Sequence, residues 1–252
     1  MFDPAAASLR FRIDSGAHVS LLWLALGSPS AAEIAARARP DAIVLDAQHG
    51  LWDRRGIEHA VGLVAPVPVL VRVAENSATA IGQALDAGAE GVIVPLIESG
   101  EEAERAAAYA RFPPKGVRSG GAIRPLLDLP AYLANARRNT VVIAMIETAR
   151  GLRRARDIAE AEGIDMVFVG PGDLAISLGT DLAGDARHEQ ACRDILAACA
   201  AAWRPCGIFT ANAEEAARRR AEGWRMTVAA NDIGLLASGF AAALQQARSK
   251  SA

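Results

Sequence analysis

Cysteine is scarce in this chain, and the three present are an odd set. Cys192 and Cys199 fall a heptad apart on a predicted helix and Cys206 opens an apolar run, so burial in a core accounts for all three. A zinc site would need shorter spacing and a nearby histidine. Long apolar runs are missing too. The longest, Val19 to Leu26, falls far short of the ~20 residues that span a bilayer. The first residues lack a charged-then-apolar signal pattern, so a soluble cytoplasmic protein with no membrane partner is expected. Basic excess is also absent. With 27 Lys and Arg against 29 Asp and Glu the formal net charge is -2, which offers no positive field for phosphate backbones and excludes nucleic acid as an expected partner. No stretch reads as a linker, a low-complexity tract or a short tandem repeat, so nothing divides the chain. What is present is 52% hydrophobic residues in 252, enough to bury one large core.

Apolar runs of strand length recur, and most are followed by an Ala-rich segment of helical period. The predicted strands are 20–26, 42–46, 67–73, 91–95, 141–147, 165–170, 207–210 and 226–230. Helices are predicted at 31–39, 53–64, 78–87, 100–110, 149–162, 187–201, 213–222 and 232–247. Ser30, Ser77, Ser99 and Thr148 stand where caps belong, and Gly88, Gly163 and Gly223 where helices stop. Eight alternating units give a parallel sheet and favour closure into a (β/α)8 TIM barrel over an open sheet. One segment, 111–140, is too long for a simple connection and holds a short predicted helix at 131–138; its length marks it as an active-site loop insertion in a single domain spanning 1–252.

Three apolar runs stop at an acid or a base: V-L-D-A-Q-H-G with Asp46 and His49, V-I-A-M-I-E-T with Glu147, and M-V-F-V-G-P-G-D with Asp173. In a barrel, side chains at the carboxyl ends of strands meet at one mouth. Glu147 and Asp173 follow consecutive predicted strands, and two such carboxylates suit Mg²⁺ or Mn²⁺ with waters and a chelating substrate. An ion pair of Glu147 with Arg150 and an ordinary helix-capping Asp173 are the plainer alternatives. In G-P-G-D-L-A the glycines leave amide groups free to face an anion at a helix start. Asp46, three residues before His49, is placed to fix its tautomer for acid–base work, the alternative being a histidine that packs a loop. Arg72 would bring a permanent cation to the mouth, for a substrate oxygen or for Asp46 or Glu147. Trp23 either walls the pocket or fills the barrel. His18, His59 and His188 are expected at the surface. No lysine ends a predicted strand, which argues against Schiff-base chemistry.

In order and spacing, L-L-W-L-A-L-G-S-P-S-A-A-E, V-L-D-A-Q-H-G, V-R-V, A-L-D-A-G-A-E-G-V-I-V-P, Y-A-R-F-P-P-K-G-V-R, I-E-T and F-V-G-P-G-D-L-A resemble the HpcH/HpaI aldolase family. The likeness runs from about Trp23 to Leu236. It implies a barrel of the phosphoenolpyruvate/pyruvate superfamily and a class II pyruvate aldolase, a carbon–carbon lyase acting on 4-hydroxy-2-oxo acids with a 2-oxo acid and an aldehyde as partners. It implies that Glu147 and Asp173 bind a divalent metal, Mg²⁺ or Mn²⁺ with Co²⁺ as another candidate. Arg72 would contact the keto oxygen, His49 with Asp46 would transfer the proton, and amides around Gly172 and Asp173 would hold the carboxylate. Asp86 matches an aspartate that reaches into a neighbouring subunit's site, and Arg118 lies in the loop grouped with the substrate contacts. Hexamers, as trimers of dimers exchanging the last helix, here 232–247, are the family habit. The chain departs from the family pattern at Gln48, at Met145 and across Gly116–Ala122. These departures keep open related enolate chemistry, as in citrate-forming condensation or oxaloacetate decarboxylation, and a catalytically impaired 2-oxo-acid-binding barrel.

Overall fold

The computed structural model describes residues 8–181 and 184–249. Eight strands, β1 (Val19–Leu24), β2 (Ala42–Asp46), β3 (Val69–Arg72), β4 (Gly91–Val94), β5 (Val141–Ile146), β6 (Met166–Val169), β7 (Cys206–Ile208) and β8 (Met226–Asn231), pair in parallel and close into a barrel in chain order. β2 to β7 are buried along their whole length, which is why each reads as a continuous apolar run rather than an alternating one. β8 closes on β1 with a register shift between Leu21 and Leu22.

The helices are α1 (Leu9–Asp14), α2 (Pro29–Arg37), α3 (Arg54–Val64), α4 (Ala78–Asp86), α5 (Gly100–Ala110), α6 (Ile123–Leu127), α7 (Leu129–Asn139), α8 (Ala149–Arg153), α9 (Ala155–Glu160), α10 (Pro171–Leu178), α11 (Ala186–Ala201), α12 (Ala213–Ala221) and α13 (Asp232–Ser249). Ser77, Ser99 and Thr148 cap their helices as expected, while α2 is capped by Ser28 instead of Ser30. Gly88, Gly163 and Gly223 carry φ of +100°, +82° and +102°, the left-handed conformation that glycine adopts without strain. The predicted helix at 149–162 is two, broken at Arg154, where the backbone leaves helical geometry. α1 and α6 lie outside the predicted helices, and α10 extends the helix start expected at Asp173. α1 precedes β1 and seats Leu9 and Ile13 in the barrel's inner core, closing its amino-terminal end.

Period-two alternation sorts the strands between two cores. Leu21, Val44, Leu70, Ile143, Met145 and Phe168 fill the barrel interior, while Ile43, Leu45, Val71, Val142 and Val167 face the helices. Counting on by two from the interior set reaches Trp23, Asp46, Arg72, Glu147 and Gly170. Parity alone therefore aims all five at the mouth. The three cysteines are buried and unpaired, as expected. No described helix is long and apolar enough to cross a membrane.

The 111–140 segment corrects an expectation. It leaves α5 and enters β5, so it lies at the amino-terminal end of the barrel, opposite the mouth. There Arg124 donates to the Glu58 carbonyl at 2.6 Å and the Tyr132 hydroxyl to the Leu85 carbonyl at 3.1 Å. It does not lie beside its own chain's carboxylates.

Candidate active site

Asp46, ending β2 and 3% exposed, is gripped from four sides. Arg72, its neighbour across the β2–β3 ladder, donates through Nε to Oδ1 at 2.8 Å and through Nη2 to Oδ2. Trp23 Nε1 donates to Oδ2 at 3.2 Å, and the Gln48 and His49 amides to Oδ1 at 3.1 and 3.2 Å. Burial pushes the Asp46 carboxyl up, but the Arg72 hydrogen bonds and charge, with the His49 amide and Trp23, outweigh it and hold the group below its ordinary range. Both oxygens are thus engaged by partners other than an imidazole. The expected Asp46–His49 ring pair does not form. His49 meets Asp46 through its backbone, and its exposed ring makes no hydrogen bond among the described residues.

Trp23 resolves toward the filling role: it stacks on Phe168 at 6.0 Å between centroids, meets Phe209 edge-on at 5.3 Å, and lies 5.1 Å under the Arg72 guanidinium. The floor of the mouth is thus aromatic, and the Asp46–Arg72 pair rests on it. This packing leaves the guanidinium little room to rotate.

Glu147, directly after β5 and 1% exposed, is the opposite case from Asp46. Oε1 accepts from the Leu96 amide at 2.8 Å, whereas Oε2 is buried without a hydrogen-bond partner among the described residues. Its carboxyl is pushed up to about 7, by burial first, eased by the Leu96 amide, raised by the charge of Asp173 and lowered by Arg72. Asp173 is near enough for its charge to act on the same carboxyl. The two acids that the sequence suggested as a pair are therefore neighbours, and Arg150 is not the partner of Glu147, since it pairs with Glu98.

Gly170 makes this possible. A Cβ there would stand 2.6 Å from Glu147 Oε2 and 2.7 Å from Met145 Cε. The bare backbone then turns into α10, whose first position is Pro171 and whose N-cap offers no side-chain acceptor. Among the described residues the Gly172 and Asp173 amides consequently have no acceptor, the condition under which a helix start receives an anion. Among the described residues no group of three His, Cys, Asp or Glu is arranged for a metal. The donor set is instead two hard carboxylates, one of them with an orphaned buried oxygen. Such a pair suits a hard divalent cation that keeps waters or a chelating ligand.

Arg118 and Asp86 lie elsewhere. Asp86 ends α4 at the amino-terminal end, and Arg118 donates to it at 2.8 Å, while also contacting the Tyr132 hydroxyl and lying 4.6 Å over the Phe112 ring. Arg118 does not reach the mouth of its own chain. His188, expected at the surface, is 2% exposed. Sequence reasoning also passed over the Leu96 amide and Gly170; the parity of β6 carried the signal for Gly170, and a backbone donor such as Leu96 leaves none.

A closed parallel barrel that gathers a buried cation–carboxylate pair and two adjoining acids at the carboxyl ends of its strands is the architecture of (β/α)8 enzymes. The HpcH/HpaI aldolase/citrate lyase family model matches residues 19–238. A hydroxypyruvate/pyruvate aldolase from Paraburkholderia phytofirmans is 35% identical over 245 residues, covering 90% of this chain and 92% of that one. The crystal structure of a family protein from Burkholderia cenocepacia J2315 superposes with a TM-score of 0.90 at 34% identity, over 95% of this chain and 98% of that one. The citrate synthase SbnG superposes with a TM-score of 0.86 at 28% identity, over 97% and 99%. This chain belongs to the HpcH/HpaI aldolase/citrate lyase family, and it is an enzyme of the carbon–carbon lyase class.

Proposed function

We propose that this enzyme is a divalent-metal-dependent aldolase that cleaves or forms 4-hydroxy-2-oxo acids through a pyruvate enolate. The observation that carries the reading is the buried, unpartnered Oε2 of Glu147 beside Asp173. Those two side chains would hold Mg²⁺, Mn²⁺ or Co²⁺, which when bound polarises the 2-oxo group as a Lewis acid. The Gly172 and Asp173 amides receive the substrate carboxylate. Arg72, with two nitrogens locked on Asp46, keeps the remaining edge of its guanidinium for the keto oxygen and stabilises the charge that develops there. In cleavage the C3–C4 bond breaks, its electron pair enters the enolate, and the 4-hydroxyl proton leaves to His49 directly or through water. Asp46 serves this step by anchoring Arg72 and the 48–49 turn, not by orienting the imidazole. The aldehyde departs, and protonation of the enolate at C3 gives pyruvate.

Asp86 and Arg118 enter this reading through assembly, with Asp86 completing a neighbouring copy's site in a hexamer. The apolar face of α13, where Ile233, Leu236, Phe240 and Leu244 are exposed, supports packing against another copy. The cytoplasm is the proposed compartment, its reducing conditions suiting three unpaired thiols. Cleavage of a panel of 4-hydroxy-2-oxo acids should stop on chelation and return with added metal; turnover that survives chelation contradicts the proposal. Met145 and the likeness to a citrate synthase favour a second reading, in which an oxaloacetate-derived enolate condenses with an acyl acceptor or oxaloacetate is decarboxylated. Comparing oxaloacetate and acyl acceptors with pyruvate and aldehydes separates the two.

A further inference from the structure

Of the four histidines, His188 alone is buried. It lies in the first turn of α11 and its Nε2 is 3.0 Å from the Pro171 carbonyl oxygen. A carbonyl only accepts, so Nε2 carries the proton. Cys192 Sγ, one turn further along α11, lies 3.8 Å from the same nitrogen, and Nδ1 is buried without a partner among the described residues. The ring therefore has one strong directional tie, and that tie goes to the peptide joining Pro171 to Gly172.

The peptide unit is planar and trans, so its C=O and N–H point in opposite directions. Holding the Pro171 oxygen from α11 fixes where the Gly172 N–H points. That N–H is the first one of α10, because Pro171 has none, and no side chain caps it.

We propose that His188 is a positioning residue: by gripping the Pro171 carbonyl it aims the Gly172 amide at the carboxylate of the 2-oxo acid. The proposal rests on the aldolase reading given above. His188 touches neither the substrate nor the two acids, and acts only through the peptide it holds.

The test compares wild type with His188→Leu, His188→Asn and His188→Gln, all with added Mn²⁺. Pyruvate affinity is read by calorimetry, KM and kcat from pyruvate methyl-proton exchange, and the melting temperature separately. Leu lacks a donor and Asn is too short to reach Pro171, so both should weaken pyruvate binding and raise KM by about tenfold, the loss expected of one hydrogen bond. kcat should change by less than about threefold, because the reacting atoms keep their partners. Gln presents an amide N–H near the lost Nε2 and should restore most of the affinity. Wild-type affinity in the Leu and Asn variants overturns the proposal, as does an equal loss in all three accompanied only by lower melting temperatures. If wild type itself binds no pyruvate, the aldolase reading falls and this inference with it. Wild-type binding with unchanged variants removes this inference alone.

Discussion

Replacing Glu147 by Gln should stabilise the metal-free protein at high pH while leaving it unchanged at low pH. The carboxyl is 1% exposed and titrates at about 7 rather than at its ordinary 4.5. At about 1.4 kcal/mol per pH unit, that displacement corresponds to on the order of 3 kcal/mol. The sign follows from proton binding. Below pH 4.5 the group is protonated in both folded and unfolded chains and costs nothing. Between 4.5 and about 7 the folded protein keeps a proton that the unfolded chain has released, so stability falls as pH rises. Above about 7 the folded protein carries a buried carboxylate and bears the whole penalty. Gln cannot ionise, yet its oxygen can still accept from the Leu96 amide. Urea unfolding of chelator-treated wild type and E147Q at pH 5 and pH 8 isolates this group, because every other titration cancels in the comparison. The variant should gain on the order of 3 kcal/mol over wild type between the two pH values, and saturating Mn²⁺ should close that gap for wild type only. A difference between the proteins that is the same at both pH values would refute the reasoning.

Asp46→Asn leaves the Arg72 guanidinium buried without its counter-charge and should cost about 3–5 kcal/mol in urea unfolding, along with turnover; a loss below about 1 kcal/mol would show the pair to be dispensable. Gly170→Ala places a methyl 2.6 Å from Glu147 Oε2, so Mn²⁺ affinity should drop by about tenfold or more while circular dichroism stays that of the wild type. Unchanged affinity would mean that Glu147 moves freely. Burial pushes the Cys192 thiol up to about 11 and the Cys206 thiol well above its usual range. An aromatic disulfide reagent should therefore leave the native thiols unmodified over an hour at pH 7.5 and titrate all three after denaturation. Rapid native reaction would contradict the buried placement.

The barrel was legible because its strands are buried on both faces, and that constraint writes uninterrupted apolar runs such as V-V-I-A-M-I into the sequence. The acids were legible for the same reason, since a carboxylate at the end of such a run has no cheap explanation. What stayed hidden depends on partners distant in sequence. Asp46 is one partner open to Arg72, but nothing in D-A-Q-H decides for it and Trp23 over the nearby imidazole, because that choice is made by the β2–β3 register and by the indole of β1. His188 sits in a polar helical turn, and its burial arises from where α10 packs on α11. The length of the 111–140 segment points to function but not to an end of the barrel, although its position between a helix and a strand fixes that end by topology.

The most direct measurement of the central claim follows the methyl protons of pyruvate by NMR in heavy water, with enzyme and Mg²⁺, Mn²⁺ or Co²⁺. Deuterium should replace those protons in wild type, stop when the metal is chelated, and fail to appear in E147Q, whatever aldehyde the enzyme accepts. Absence of exchange with every metal, or exchange that persists without Glu147, would contradict a site built on that carboxylate.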